Sequence, residues 1–150
     1  MGVIVVGVDH SEGAKVALVF ALAEAKLRQA KLHAVHVWQL SRYLSAPTFE
    51  DSAHGFGAEL DEHRRAAEAA LEASLREAIP DAGEVEIERH VVEGAPGAVL
   101  VEQSRGAALL VVGSRGRGGF TGLLLGSVSQ QCAHHAACPI VIVREKTGTQ

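Results

Sequence analysis

Apolar and polar positions along the chain switch repeatedly between the period of strands and that of helices. Four runs dominated by apolar residues, at 3–8, 32–38, 108–113 and 139–143, predict strands, and the continuous ones are typical of strands buried on both faces. A fifth run, at 85–94, alternates polar and apolar residues and predicts a strand with one more open face. The chain therefore contains five strand-like segments.

The segments between these strands have helical spacing. After a possible cap at Asp9 or Ser11, apolar residues recur with this spacing at Val16, Val19, Phe20, Ala23 and Leu27. The segment at 58–79 is rich in Ala, Glu, Leu and Arg and predicts a strong helix, whose apolar face consists of Leu60, Ala67, Leu71, Leu75 and Ile79. Shorter helices are predicted at 96–104, which begins at a proline, and at 127–136.

Five strands alternating with helices predict an α/β fold with a single doubly wound, five-stranded parallel sheet and helices on both faces. The expected strand order is 3-2-1-4-5, which places the first and fourth strands side by side where the order reverses. Ligands of such sheets bind at this point, outside the carboxyl ends of the strands. We expect one domain over residues 1–150, with a loop at about 39–56 and a polar tail from about 145.

The composition narrows the class of protein. Apolar residues make up 47% of the chain and aromatic residues only 4%, so the core is expected to consist of Val, Leu, Ile and Ala. The net charge of -4 and the lack of a basic run argue against a nucleic-acid partner. No apolar run has the ~18 residues of a membrane span, and the first residues lack the basic start of a signal peptide. A cytoplasmic protein that binds neither nucleic acid nor membrane is therefore expected.

A glycine-rich segment directly follows the fourth predicted strand, with six glycines within residues 113–126. Glycine reaches positive φ easily and has no side chain, so the amides of such a segment can form a concave anion site. Arg115 and Arg117 add positive charge, and Ser127 lies where the free N–H groups of the next helix begin. A loop whose glycines only make turns is the alternative. The preceding strand, the arginines, the serine and the nearby Asp9 favour phosphate binding.

Other motifs that carry chemistry fit the chain less well. It has no GxxxxGK[ST], no GxSxG and, after the first strand, no GxGxxG. Two pairs of histidines point in diverging directions, His33 with His36 along a strand and His134 with His135 on a helix, so neither pair predicts a metal site alone. The two cysteines lack zinc-motif spacing and are expected to be small buried hydrophobic residues.

The spacing Gly113-x2-Gly116-x9-Gly126-Ser127 matches the G-2x-G-9x-G-[S/T] signature of the ATP-binding universal stress proteins. The segments VVGVDHSEGA, LHAVHVW, VVGSRGRGG and CPIVIVR also resemble that family in the same order along the chain. The resemblance covers the whole chain. It implies an adenine nucleotide alpha hydrolase-like fold that binds ATP, with Mg²⁺ as the companion of the nucleotide.

The resemblance also implies a role for each matching residue. Asp9 resembles the acidic residue near the adenosine and the metal-associated phosphates, which makes it the expected contact for Mg²⁺. Val37 resembles the second-strand position whose backbone meets the adenine, and Gly7 resembles a residue that lines the base pocket. The ribose and phosphate loop corresponds to Gly113, Ser114, Arg115, Gly116, Arg117, Gly118 and Gly119, and its phosphate-binding end to Gly126, Ser127 and Val128.

Together these expectations describe a binding module, an ATP-binding regulator or sensor in the stress response. Members of the family dimerise through their last strand, which implies a homodimer formed here through residues 140–143. The sequence offers no placed nucleophile or general base, so any hydrolysis should be slow. Two alternatives remain open. One is an enzyme of the same architecture that hydrolyses ATP slowly or transfers an adenylyl or phosphoryl group; the other is a flavodoxin-like carrier of another phosphorylated ligand.

Overall fold

The computed structural model describes residues 2–40, 56–115 and 125–145, and these residues form five strands and four helices. The strands are β1 (Val3–Gly7), β2 (Lys31–Trp38), β3 (Ile87–Glu93), β4 (Leu109–Gly113) and β5 (Ile140–Val143). The helices are α1 (Glu12–Arg28), α2 (Phe56–Ala78), α3 (Pro96–Gln103) and α4 (Ser127–His135). The predicted loop at 39–56 and the predicted tail from 145 lie mostly outside the described residues.

All five strands pair in parallel in one sheet of order β3-β2-β1-β4-β5, which confirms the predicted fold class and strand order. Helices α1 and α2 pack on one face against a core that includes Ile4, Val6 and Leu32. Helices α3 and α4 cover the other face, where the core includes Val5, Val35 and Leu110. Both faces of the central strands are buried, as their continuous apolar runs predicted.

Helix α1 lies where its spacing indicated, but most of the apolar residues that recur along it do not face the sheet. Val19 is 54% exposed and Leu27 79% exposed, and Val16 is exposed as well. The residues that face the sheet are the small and medium ones at Ala14, Ala17, Leu18, Ala21, Leu22 and Ala25. The four alanines of this face let the helix axis approach the sheet closely.

The predicted face of α2 is confirmed for Ala67, Leu71, Leu75 and Ile79, all of which are buried. Strand β3 is half-exposed along its length, as its alternating pattern predicted, because it forms an edge of the sheet. Within the described ranges, none of the helices is both long and apolar enough to cross a membrane.

Candidate functional site

The reversal of the strand order lies between β1 and β4, which pair in the register Ile4↔Leu109, Val5↔Leu110 and Val6↔Val111. Their carboxyl ends therefore lie side by side. The chain continues from β1 to Asp9 and the start of α1, and from β4 into the glycine-rich segment. The two features that were singled out in the sequence are thus neighbours at one edge of the sheet, where ligands of such folds bind.

Asp9 is a half-buried carboxylate held by the residue that caps α1. The Ser11 hydroxyl accepts the Ala14 N–H at 3.1 Å, so Ser11 and not Asp9 is the N-cap. Ser11 in turn donates its hydroxyl and its N–H to Asp9 Oδ1, at 2.5 and 3.1 Å. Both hydrogen bonds that the described residues donate to Asp9 therefore end on Oδ1. They orient the carboxylate but do not involve its other oxygen, Oδ2.

A buried histidine supports the turn after β1. The His36 ring donates its Nδ1–H to the Val8 carbonyl at 2.8 Å, and its centroid lies 4.5 Å from that of His10. His10 has a positive φ of 69°, and its Nδ1 lies 2.7 Å from the Ser74 hydroxyl of α2. A positive φ is uncommon outside glycine, so these contacts help to hold the backbone that presents Asp9.

The start of α1 packs directly on the end of β4. A Cβ atom added to Gly113 would lie only 3.0 Å from the Gly13 carbonyl carbon, and one added to Gly13 would lie 3.0 Å from the Arg115 carbonyl oxygen. Both neighbours are backbone atoms, which cannot turn aside as a side chain can. Gly113 is thus required by packing, in addition to any role at a ligand. Sequence reasoning missed Gly13, although a glycine in the first turn of a helix is itself an unusual choice.

The two ends of the glycine-rich segment are joined at their base. The Gly126 N–H donates to the Ser114 carbonyl at 2.7 Å, and the buried Ser129 hydroxyl lies 2.9 Å from the same oxygen and 3.0 Å from the Gly126 carbonyl. The Ser114 N–H donates to Val143 of β5 at 2.8 Å. The backbone of Ser114 is therefore engaged in the fold, and Ser129 is a further supporting residue that the sequence did not reveal.

Helix α4 begins at this base without a side-chain cap from the described residues. Its N-cap is Gly126, and its first turn contains no acidic residue. Ser127 is exposed and Val128 half-buried. Because the first N–H groups of a helix have no partner within it, such a start presents donors and a positive dipole end to an anion. Gly116, Arg117, Gly118 and Gly119, which were predicted to bind phosphate with it, lie outside the described residues.

The backbone of Val37 faces the same edge. The Val35 carbonyl accepts the Val8 N–H beside β1 at 2.8 Å, whereas the Trp38 carbonyl accepts the Gly94 N–H beside β3 at 2.9 Å. Alternate residues of a parallel strand direct their backbone groups to opposite neighbours, so Val37 points to the β1 side. Strand β1 has already ended there, and the polar groups of Val37 are directed into the space beyond it.

Gly7 has a reason for being glycine that involves no ligand. A Cβ atom at this position would lie 2.9 Å from Leu100 Cδ1 of α3, and the next contact is with another atom of the same side chain. Leu100 is itself buried. The role of Gly7 in a base pocket remains a prediction.

The cysteines are free thiols. Cys132, on the buried side of α4, is completely buried, and this burial raises its pKa to about 11, so it is a neutral, apolar group at pH 7. Cys138 is half-buried, and partial burial also raises its pKa. The expectation of a small buried residue therefore holds fully for Cys132 and only in part for Cys138.

Comparison with known proteins gives a consistent result. The model of the Universal stress protein family matches residues 1–144. The chain is 39% identical to universal stress proteins of Mycobacterium tuberculosis, over 142 residues, and of Mycolicibacterium smegmatis, over 145 residues. Both alignments cover 95% of this chain but only 45% and 46% of those proteins, so the chain spans about half the length of these curated relatives.

Solved structures show the same architecture. The universal stress protein UspA from Lactobacillus plantarum superposes with a TM-score of 0.75 at 23% identity, covering 95% of this chain and 97% of that chain. A universal stress protein crystallised in complex with cAMP superposes with a TM-score of 0.59 at 29% identity, covering 95% and 96%. With its strand order, its match over residues 1–144 and its relatives at 39% identity, this chain belongs to the universal stress protein family.

Proposed function

We propose that this chain binds an adenine nucleotide, ATP with Mg²⁺, at the carboxyl edge of β1 and β4, and that the bound nucleotide regulates its interactions. The observation that carries the proposal is the pairing of two features across that edge. One is the Asp9 carboxylate, held through a single oxygen. The other is the start of α4, which no described side chain caps. A metal-associated polyphosphate needs both.

The adenine end of the site is supported by Val37. A purine presents a donor and acceptors along one edge, which a strand's own N–H and C=O can match. The backbone groups of Val37 point past the end of β1 toward the position where a base would lie above Val8 and Asp9. The universal stress protein in complex with cAMP, at 29% identity, supports an adenine nucleotide as the ligand class.

The phosphate end is supported by charge and by free donors. The α4 start presents the N–H groups of Ser127 and Val128, and the glycine-rich segment that precedes it in the chain contains Arg115 and Arg117. Asp9 is the carboxylate that fits Mg²⁺, a cation that prefers oxygen ligands and is bound through one or two carboxylates together with phosphates. The ion would neutralise phosphate charge, and the protein residues would orient it.

A regulatory output follows from the position of β5. This edge strand pairs with β4 up to Gly113↔Val143, and the Ser114 N–H donates to the Val143 carbonyl. A change in the glycine-rich segment therefore acts directly on the edge strand. The side chains of Ile140–Val143 are only half-buried, and an exposed strand edge is ready to pair with another chain. We place the homodimer contact here, with nucleotide binding altering its strength.

Ligand identity tests the proposal most directly. Mass spectrometry of the compound released from freshly purified, denatured protein should detect an adenine nucleotide, and calorimetry on the stripped protein should give saturable ATP binding strengthened by Mg²⁺. Turnover of ATP should stay well below the ordinary enzyme range of about one per second and above. A flavin or another phosphorylated compound in place of adenine nucleotide, or no heat with ATP, would contradict it.

Asp9→Asn tests the role of the carboxylate. We expect the affinity for ATP with Mg²⁺ to fall by about tenfold or more, which corresponds to about 1.4 kcal/mol, and the affinity for AMP to fall less. Asp81→Asn is the matched control. Its Oδ1 accepts the N–H two residues ahead, from Gly83 at 2.9 Å, just as Asp9 accepts that of Ser11, but it lies in an exposed turn after α2. Equal losses in the two variants would refute a ligand role for Asp9.

A further inference from the structure

Three side chains with metal-ligand chemistry converge on one face of the sheet, on strands β2 and β3. His33 Nε2 lies 2.6 Å from Glu88 Oε2, and His90 Nε2 lies 3.4 Å from the same oxygen. The ligand atoms of the three residues all lie within 4.8 Å of one another. The two imidazole rings stack with centroids 4.6 Å apart and an angle of 25° between their planes.

The strand register creates this cluster. His33 is the direct partner of Glu88, and His90 is the partner of Val35, two residues further along each strand. Because side chains on a strand alternate between faces, the three polar residues share the face that carries Val35 and the α3–α4 layer. They lie in the first half of β2 and β3, whereas the nucleotide crevice lies beyond the carboxyl ends of β1 and β4.

The cluster is partly open to solvent. The side chains of His33, Glu88 and His90 are 18%, 41% and 31% exposed, so an ion can reach them without a change in the fold. The neighbouring charges come from Lys31 and Glu86, which pair with each other at 3.4 Å and largely cancel. Burial is the main cause that lowers the pKa of His33, against the opposing effect of Glu88.

Two imidazoles and one carboxylate form a recognised donor set for Zn²⁺, with a fourth position left for water or another ligand. Zn–N and Zn–O bonds of about 2.0–2.2 Å in a tetrahedral shell place the donors roughly 3.3 Å apart. His90 Nε2, at 3.4 Å from Glu88 Oε2, is close to that separation, whereas His33 Nε2, at 2.6 Å, is at hydrogen-bond distance and would have to move outward. Rotations of these partly exposed side chains would bring the three donors around an ion, and the proton between His33 and Glu88 would leave to solvent or move to His33 Nδ1.

We propose that His33, Glu88 and His90 form a binding site for a divalent transition metal ion, with Zn²⁺ as the best match to the donors. The site is separate from the nucleotide crevice and does not depend on nucleotide binding. Its three protein ligands leave one coordination position open. Imidazole nitrogen with carboxylate oxygen selects Zn²⁺ and its neighbours in the transition series over Mg²⁺ or Ca²⁺, which prefer oxygen ligands alone.

Zinc titration of untagged, metal-free and nucleotide-free protein tests this proposal, with a chromophoric chelator as competitor. We expect one Zn²⁺ per chain, a rise in thermal stability on binding, and visible absorption typical of four-coordinate Co²⁺ when cobalt is used instead. We expect three variants each to bind Zn²⁺ about 100-fold more weakly or worse: His33→Ala, His90→Ala and Glu88→Gln. Loss of a residue that only supports a metal ligand weakens metal binding by up to about 100-fold, so loss of a ligand itself should have at least that effect. Glu88→Gln keeps the size and shape of the side chain, so its effect reports the carboxylate charge.

The chain provides controls for adventitious binding. His134→Ala and His135→Ala remove two neighbouring exposed histidines on α4, whose ring centroids are 6.2 Å apart, and Cys138→Ser removes the accessible thiol. These variants should bind Zn²⁺ within about twofold of the parent, and His33→Ala should keep its ATP affinity. Binding below one ion per chain, binding unchanged in Glu88→Gln, or binding lost equally in the control variants would overturn the proposal.

Discussion

Helices α1 and α4 both begin at the carboxyl edge of the sheet, one after β1 and the other after β4, yet their starts are built in opposite ways. The start of α1 is satisfied by its own chain, because Ser11 caps it and Glu12 places a negative charge in the first turn. The start of α4 has Gly126 as its N-cap, no side-chain cap from the described residues and no acid in its first turn. The α1 start is thus capped by its own chain, whereas the α4 start offers its first N–H groups to the anion proposed above.

The two helix starts also differ in how tightly they are packed. Gly13 in the first turn of α1 packs against the backbone of Gly113 and Arg115, where even an added Cβ atom would be crowded. Ser127 at the first turn of α4 is exposed. The same fold thus closes one helix start by packing and leaves the other in contact with solvent, although both lie beside the point where the strand order reverses.

A negative charge placed at the start of α4 should have the largest effect on ATP affinity. Ser127→Glu puts a carboxylate where the phosphates are proposed to bind, and two like charges about 4 Å apart interact by several kcal/mol at the effective dielectric of a protein surface. After screening by salt we expect a loss of about 2–3 kcal/mol, or roughly 30- to 150-fold in ATP affinity measured by calorimetry.

Ala133→Glu is the control for that charge. It adds the same carboxylate to an exposed position of α4, away from its first turn, and should change the ATP affinity by less than about threefold because the interaction falls with distance and screening. If the two variants bind ATP equally well, the phosphates do not lie at the α4 start.

Much of the fold could be predicted from the sequence because its strands carry unambiguous patterns. The five strands and the four helices follow from apolar runs and helical spacing, and the strand order is the one expected for a doubly wound sheet of this kind. The buried face of α1 could not be predicted in the same way. That helix has apolar residues on both sides, so its period is compatible with two orientations, and only the close approach of its alanines to the sheet selects the observed one.

In the candidate site, too, some features could be predicted from the sequence and others could not. Asp9 and the glycine-rich segment have signatures in the sequence, because each lies next to a buried strand and has a characteristic composition. The packing of Gly13 on Gly113 depends on how closely a helix lies on the sheet. The meeting of His33 with Glu88 depends on the register of β2 and β3. Neither distance nor register is contained in local spacing.

Adding a methyl group at Gly113 tests how closely the start of α1 packs on the end of β4. Gly113→Ala places a Cβ atom 3.0 Å from the carbonyl carbon of Gly13, so the helix or the strand must shift. We expect the free energy of unfolding to fall by about 1–3 kcal/mol, as for other overpacked sites, measured by urea denaturation.

Gly57→Ala is the matched substitution for Gly113→Ala. A Cβ atom at Gly57 meets nothing within 4 Å, and the residue lies in helix α2, so alanine should leave stability unchanged or raise it by up to about 1 kcal/mol. A Gly113→Ala variant as stable as Gly57→Ala would mean that α1 and β4 are not closely packed, and the contrast between the two helix starts would lose its structural basis.

The smallest expected effect is on the stability of the ligand-free protein. It distinguishes the effect of a charge at the α4 start on stability from its effect on ATP binding. In the absence of nucleotide, Ser127→Glu adds an acid to a helix N-terminus that lacks one, and the interaction with the helix dipole should raise the free energy of unfolding by about 0.3–1 kcal/mol at low salt.

Glu12→Gln removes the equivalent charge from α1 and should lower stability. Both changes should shrink as salt is added, since exposed charges are screened. If Ser127→Glu stabilises the ligand-free protein and weakens ATP binding, the result would support the proposal that an anion takes the place of the missing cap at the α4 start. A loss of stability in ligand-free Ser127→Glu would contradict that explanation.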